Sequence, residues 1–196
     1  MNIRTSRDLL AAITVAAAAT GANAQLEKLL IVDLSVENQI TITATTGASA
    51  ATISGSDGIG VLLADLLNGP NISGICDSLV SGDITNVANP SDGSPDLFYS
   101  TFGAGNGLNL WSWSSDTTVD FTAGQQAFTG SGTWTVNPSF YADMLAGNTS
   151  GTIYFPADTD DDIAGATAIG TWNVIPAPAS AALLGLGGLA AVRRRR

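Results

Sequence analysis

The sequence predicts an all-β fold: an antiparallel β-sandwich or jelly-roll-like domain with one short helix, flanked by an N-terminal signal helix and a C-terminal hydrophobic helix. Short segments rich in Val, Ile, Leu and Thr recur between turn residues about every eight to twelve positions, as in sandwich domains. No repeat with the period of a solenoid or a propeller runs through them. An apolar run near each end of the chain predicts the two flanking helices.

The amino-terminal segment has the parts of a secretory signal peptide. Arg4 and Arg7 precede an apolar run of eleven residues, Leu9 to Ala19, and small residues follow at Ala22 and Ala24. As a helix this run is about 17 Å long, whereas a bilayer span needs about 20 residues. We therefore predict export by the secretion translocon, with cleavage after Ala24.

Strand patterns then follow one another up to residue 174. They cover Leu29 to Val36, Gln39 to Thr45, Leu97 to Phe102, Leu108 to Trp113, Val119 to Phe121, Ala127 to Val136, Thr152 to Phe155 and Ile169 to Val174. Ile40 and Ile42 alternate with threonines, which is typical of a strand with one buried face. Glu37 and Asn38 predict a tight turn between the first two strands, or a bulge within one long strand.

Two segments have helical character. The apolar cluster from Ile59 to Leu67 predicts one short amphipathic helix that ends at the turn residues 68–70. Pro138 to Leu145 predicts a short helical turn that carries Phe140, Tyr141 and Met144.

The carboxy-terminal segment has three parts in a fixed order. It comprises a Pro-x-Pro motif at Pro176, Ala177 and Pro178, fourteen small or apolar residues from Ala179 to Val192, and the cluster Arg193, Arg194, Arg195 and Arg196. A fourteen-residue helix is about 21 Å long against a hydrocarbon core of about 30 Å, which suits a transient membrane segment. The arginines favour the cytoplasmic side. The alternative is a buried or amphipathic helix of the domain itself.

This arrangement resembles the PEP-CTERM sorting signal of bacteria, in which a short Pro-x-Pro motif precedes a hydrophobic segment and an arginine cluster. The resemblance covers residues 175–196, and Ala177 stands where the family has Glu. It implies that an exosortase-type sorting protease acts near the motif and that the protein is associated with extracellular polysaccharide. The chain thus divides into a signal peptide (1–24), a β-sandwich domain (25–174) and a sorting tail (175–196).

The charge between the two terminal segments is strongly acidic. Lys28 is the only basic residue from 25 to 175, and all acidic residues of the chain except Asp8 lie there, which gives a formal charge of −15. Nucleic acid is therefore excluded as a partner, because phosphate binding needs clustered Lys and Arg. Such a surface attracts cations, or it simply keeps an exported protein soluble.

The sequence also limits the chemistry that the protein performs. It contains no histidine, which removes the usual general base and the Ser-His-Asp and Cys-His arrangements. Cys76 is the only cysteine, so we expect no internal disulfide and a small buried side chain. Glycoside hydrolysis is the enzyme class that we consider, since it can run on two carboxylates without histidine. The candidates are Asp116, Asp120, Glu27 and Glu37, and no pattern pairs them, so we predict no catalytic activity and no required cofactor.

Spaced aspartates form the most distinctive polar feature. Asp158, Asp160 and Asp162 offer oxygen ligands of the kind that calcium binds. The segment departs from an EF-hand, because Ile163 occupies the glycine position and Ile169 the position of the bidentate glutamate. The two interpretations are a calcium site and a solvated acidic loop.

Trp111 and Trp113 lie two residues apart on a predicted strand and therefore share a face, as the sugar-stacking platforms of glycan-binding sandwiches do. Asn106, Asn109 and Asp116 would supply hydrogen bonds to hydroxyl groups. The alternative is that these tryptophans fill the core, together with Trp134 and Trp172.

These features together predict an exported bacterial protein of the cell surface or extracellular matrix, without catalytic activity, sorted by its tail and held by the membrane at least transiently. The alternative is a glycan-binding module, with or without dependence on calcium.

Overall fold

The computed structural model describes residues 25–55, 60–68, 73–75, 78–90, 94–100, 106–111, 119–157 and 163–175, and strands predominate among them. In chain order the strands are β1 (Lys28–Asp33), β2 (Gln39–Ala44), β3 (Ile53–Gly55), β4 (Val61–Leu63), β5 (Ser73–Ile75), β6 (Ser78–Gly82), β7 (Thr85–Asn86), β8 (Asp96–Ser100), β9 (Gly107–Trp111), β10 (Val119–Phe121), β11 (Phe128–Thr129), β12 (Ser131–Thr135), β13 (Ser150–Phe155) and β14 (Thr167–Ile175). One helix, α1 (Pro138–Ala146), and one 3₁₀ turn (Ile163–Gly165) accompany them. The predicted all-β, sandwich-like fold is confirmed, and the one described helix is α1.

Ten of the strands form one sheet in the order β5-β8-β9-β4-β13-β14-β1-β2-β12-β6. Its two edge strands, β5 and β6, are separated in the chain by residues 76–77 alone, so the sheet curls until it is nearly closed as a barrel. β3 with β10 and β7 with β11 form two smaller sheets. Within the large sheet the described pairs are antiparallel except β1 with β14, which run parallel.

Alternation along the central strands divides core from surface as predicted. Ile40 and Ile42 of β2 are fully buried, whereas Thr41 points outward and its hydroxyl bonds that of Thr133 on β12 at 2.8 Å. Burial of an Ile side chain stabilises the fold by roughly 1.5–3 kcal/mol. The tight turn predicted between β1 and β2 is also present: Asn38 has a φ of 57°, and the Gln39 amide donates to the Val36 carbonyl at 3.2 Å.

The helix predicted between Ile59 and Leu67 is wrong, because residues 61–63 form strand β4. Val61 and Leu63 lie in the main core, while Leu62 packs on the opposite face in a second cluster with Ala64 and Ala157. A strand that is buried on both faces is a continuous apolar run, and such a run cannot be told from a helix by its periodicity. The helical segment predicted from Pro138 is confirmed as α1.

The parallel pairing of β1 and β14 gives the sheet two distinct ends. Lys28 lies opposite Thr171, and Asp33 lies opposite Ile175, so the first strand starts far from the point where the last one stops. We call the end near Ile175 the helix end, because α1 crosses it between β12 and β13. The other end, where β1 and β14 begin, is the groove end.

Helix α1 closes the helix end through side-chain contacts. The Asn137 side chain caps it by accepting the Phe140 amide at 2.8 Å, and Pro138 occupies the first turn, where its missing N–H costs nothing. The Phe140 ring stacks on Tyr99 with 3.9 Å between centroids. The Tyr141 hydroxyl donates to the Leu34 carbonyl at 2.6 Å. In the described part of the chain, no helix is long and apolar enough to cross a membrane.

Candidate functional site

The groove end carries an open groove of about 560 Å³. Three segments that are distant in sequence line it: Gln25, Leu26, Glu27 and Lys28, then Ala48, Ser49 and Ala50, and finally Gly124. The second and third segments contribute only small side chains, which leaves the space between the segments unfilled.

Backbone and side-chain hydrogen bonds hold the first wall of the groove. The Glu27 carbonyl accepts the Thr171 amide at 2.8 Å and the Thr171 hydroxyl at 3.1 Å. The Glu27 carboxylate accepts the Ala48 amide at 2.9 Å, which ties the first wall to the second. The Thr45 hydroxyl donates to the carbonyl of Lys28. The chain is therefore fixed from Glu27 onward.

A short network holds the other two walls together. The Ser49 amide donates to the Gln125 carbonyl at 2.9 Å, and the Gly124 amide donates to the Ser49 carbonyl at 2.9 Å. Gly124 has a φ of 76°, a conformation that glycine adopts at no steric cost. The Ala50 amide joins this network to β14 by donating to the Ile169 carbonyl at 2.8 Å.

The groove offers contacts for binding and few groups for chemistry. Glu27 and Lys28 provide one carboxylate and one ammonium group on exposed side chains, and Gln25 adds an amide. Its lining contains neither histidine nor cysteine. Sequence reasoning missed this groove, since residues so far apart form no local motif.

The proposed carboxylate pair of a glycoside hydrolase does not form from the two glutamates. Glu27 precedes β1 at the groove end and Glu37 follows it at the helix end. At about 3.3 Å per residue the strand alone separates them by roughly 17 Å, whereas hydrolysis needs carboxyl groups about 5–9.5 Å apart. Asp120 is exposed on β10, and Asp116 lies outside the described residues.

The predicted calcium ligands Asp158, Asp160 and Asp162 lie outside the described residues. Among the residues that are described, no group of three or more Asp, Glu, Cys or His side chains is arranged to hold a metal ion. Cys76 also lies outside the described part.

Three described residues that border aspartate-containing stretches of the sequence lie together at the groove end. Gly60 immediately precedes β4, Trp111 ends β9 and Ala157 follows β13. The Ala157 amide donates to the Gly60 carbonyl at 3.3 Å, and β4 pairs with β9 beside Trp111. The buried Asn109 side-chain amide donates to the Ala157 carbonyl at 2.6 Å and holds Ala157 against β9.

Two of the four tryptophans, Trp134 and Trp172, lie in the core. Trp134 and Trp172 are buried, and their indole N–H groups donate to the carbonyls of Pro95 and Ala64, each at 3.1 Å, so the core role predicted for them is confirmed. The backbone of Trp111 lies at the end of β9, and Trp113 falls outside the described residues.

The asparagines predicted to help bind a glycan do not lie at one place. Asn109 is fully buried and engaged with Ala157, so it is not available to a ligand. Asn106 precedes β9 and its carbonyl accepts the Leu67 amide at 3.1 Å, at the opposite end of that strand from Trp111.

The processing residues also lie outside the described part of the chain. These are Ala22, Ala24, Pro176, Ala177, Pro178, Arg193, Arg194, Arg195 and Arg196, together with the signal and tail helices.

At the helix end, the pKa of the Tyr141 phenol is raised. Its burial raises its pKa above the ordinary tyrosine value, and the carboxylates of Glu37 and Asp33 raise it further by disfavouring a nearby negative charge. The group serves as a hydrogen-bond donor to Leu34 in its neutral form.

Comparison of the chain with known protein families, with curated proteins and with solved structures gives no match. The geometry of the chain itself therefore carries the functional argument.

Proposed function

We propose that this chain is an exported bacterial protein of the cell surface or extracellular matrix, without catalytic activity, in which a signal peptide and a PEP-CTERM-like tail flank one β-domain. Its processing partners are the secretion translocon and an exosortase-type protease. Its extracellular partner is polysaccharide.

The boundaries of the sheet are the observation that carries this proposal. The described strands begin at Lys28, the fourth residue after the proposed signal cleavage, and end at Ile175, immediately before the Pro-x-Pro motif. The first and last strands pair with each other in the interior of the sheet. Loss of residues 1–24 and 176–196 would therefore leave every described strand of the sheet in place.

The arrangement of the two ends suits a protein held by its tail. Strand β14 spans nine residues, about 26 Å from its first to its last residue, and it ends at the helix end. Until the tail is cut, its insertion in the membrane would keep the helix end close to the bilayer and turn the groove end outward. Extracellular partners would then meet Gln25 to Lys28 first.

Localisation of tail variants in the producing bacterium tests the proposal. The wild-type chain, tagged within the domain, is expected in the envelope or matrix fraction, cut near the Pro-x-Pro motif. Replacement of Pro176 and Pro178 by Ala should leave an uncut chain in the membrane fraction. Replacement of Arg193 to Arg196 by Gln should also reduce cutting, because the cationic anchor on the cytoplasmic side is lost.

A matched control separates sorting from folding. Glu37→Gln with Asp65→Asn changes exposed acidic residues of the domain and should leave both cutting and location unchanged. A wild-type chain that stays uncut in the cytoplasm would refute the proposal.

A calcium-dependent glycan-binding module is the second candidate, and the clustering of Gly60, Trp111 and Ala157 at the groove end favours it. The sequence stretches that continue from these residues contain Asp57, Asp116 and the aspartates at 158 and 160–162. Carboxylates from several segments at one end of a sheet are a source of oxygen ligands for calcium.

A pull-down of the mature protein with the bacterium's own extracellular polysaccharide tests the second candidate, in calcium and with chelator. Binding that is lost with chelator, and lost when Asp158, Asp160 and Asp162 are replaced by Asn, supports it. The triple change Glu37→Gln, Asp65→Asn and Asp83→Asn removes the same charge elsewhere and should retain binding. Equal binding in calcium and chelator would eliminate the calcium site.

A further inference from the structure

The first described hydrogen bonds of the chain involve the third residue after the proposed signal cleavage site. Glu27 is the first residue with described hydrogen bonds, through its carbonyl to Thr171 and its carboxylate to Ala48. Gln25 precedes this point and is exposed beside the open groove. Its side chain and its backbone nitrogen are therefore outside the sheet.

We propose that the mature chain is modified at Gln25, whose side chain and terminal amine close to a pyroglutamate lactam. This inference rests on the proposed function, because cleavage after Ala24 makes Gln25 the first residue. The terminal amine and the side-chain amide carbon then belong to one residue, and intramolecular reactions of this kind are strongly favoured over intermolecular ones.

The reaction balances without any co-reactant. The α-amino nitrogen attacks the side-chain carbonyl carbon (Cδ) of Gln25 and forms a new C–N bond. The bond from that carbon to the amide nitrogen breaks, and this nitrogen leaves as ammonia with the proton released by the amine. α-Amino groups have an ordinary pKa of about 8, so a fraction of them is neutral and nucleophilic near neutral pH.

The fold permits this step at little structural cost. Both reacting groups precede the first anchored residue, Glu27, and the adjacent groove of about 560 Å³ leaves room for the lactam. Residues held in a strand would have to leave it before their backbone nitrogen reached their own side chain. Gln25 needs no such opening.

Cyclisation changes the charge of the groove. The terminal ammonium group is lost, as it is when an amino terminus is acetylated. Lys28 is the only lysine of the chain, so its Nζ then becomes the single primary amine of the mature protein. A ligand at the groove would meet a neutral lactam and one ammonium group.

Because the chain has a single lysine, the number of primary amines in the mature protein tests the proposal. The mature protein is purified from the producing bacterium, weighed intact by mass spectrometry and treated with an amine-specific reagent. We expect a chain that begins at residue 25, lighter by one ammonia than the unreacted chain, with one label, on Lys28. The Lys28→Arg variant keeps the charge and should take no label, whereas Gln25→Ala should take two.

The outcomes separate this inference from the proposed function. A chain that begins at Gln25, has the unreacted mass and takes two labels would overturn the modification and leave export intact. A chain that begins at Met1, or at any residue other than Gln25, would overturn both the proposed cleavage and the modification.

Discussion

At the helix end, α1 packs aromatic side chains onto the sheet, whereas at the groove end small residues leave a space of about 560 Å³ open. The same two strands, β1 and β14, run between these ends. Phe140 is fully buried at the first end, while Gln25, Glu27 and Lys28 are exposed at the second. The difference indicates that the helix end contributes stability and the groove end is free to contact other molecules.

This division has a physical basis in what each end buries. Apolar side chains removed from water stabilise the fold in proportion to the area buried, whereas exposed polar side chains change stability little. Substitutions at the helix end should therefore lower the free energy of unfolding, and substitutions at the groove end should leave it nearly unchanged. Four changes test the contrast, from the largest expected effect to the smallest.

Phe140→Ala should have the largest effect. It removes a fully buried ring and its stacking on Tyr99, and Phe→Ala changes in cores cost about 3–5 kcal/mol. Urea unfolding followed by tryptophan fluorescence measures the change. Leu145→Ala, on the same helix but half exposed, is the matched control and should cost far less. A loss below about 1 kcal/mol for Phe140→Ala would mean that α1 is not part of the cooperative core.

Tyr141→Phe should have the next largest effect. It keeps the ring and removes the hydroxyl that donates to the Leu34 carbonyl at 2.6 Å. A buried acceptor left without its partner costs about 1–3 kcal/mol. Urea unfolding near pH 7 gives this difference, and a variant as stable as the wild type would show that water replaces the hydroxyl.

The same variant gives a test of pH dependence. Because the pKa of Tyr141 is raised in the folded state, the unfolded chain releases the phenol proton first as pH rises. The stabilisation is thus complete below the ordinary tyrosine pKa of about 10 and is lost as pH rises through the higher folded pKa. The difference in free energy of unfolding between wild type and Tyr141→Phe should become smaller above about pH 10. A difference that becomes larger there would mean that the pKa of Tyr141 is lowered, not raised, by folding.

Asn137→Ala should cost about 1 kcal/mol, because it removes the side chain that caps α1 through the Phe140 amide. Asn137→Asp restores a capping oxygen and should recover most of this loss, although the donation from the Asn137 amide to the Tyr99 hydroxyl at 3.0 Å is not restored. Thermal unfolding of the wild type and the two variants measures the order of their stabilities. Equal losses for Ala and Asp would show that the bond to Tyr99, rather than the cap, is what stabilises the helix end.

The helix end was also the more predictable of the two. The segment Pro138 to Leu145 predicted a short helical turn, and the alternation of Ile40 and Ile42 predicted a half-buried strand, so sequence alone located α1 and β2. Strand β6, with the sequence Ser-Leu-Val-Ser-Gly, carries no such pattern because all its side chains are exposed. Its pairing with β12 is decided by tertiary neighbours.

The groove end depends on contacts between residues that are far apart in sequence. The parallel pairing of β1 with β14 joins the first strand to the last, and no local pattern encodes it. The groove then forms from residues near 25, 50 and 124. The proposed processing signals, by contrast, are local sequence patterns, so they are predicted without reference to the fold.

Glu27→Gln should have the smallest effect. Its side chain is exposed, and the amide oxygen that replaces the carboxylate still accepts the Ala48 amide, so we expect a change in unfolding free energy within about 0.5 kcal/mol. Lys28→Gln is the paired control and should behave alike. Chemical denaturation of these two variants and of Phe140→Ala compares the free energy of unfolding that each end contributes. If Glu27→Gln instead lowered the free energy of unfolding by more than about 1 kcal/mol, the charged hydrogen bond to Ala48 would stabilise the sheet. The groove end would then contribute to stability as the helix end does.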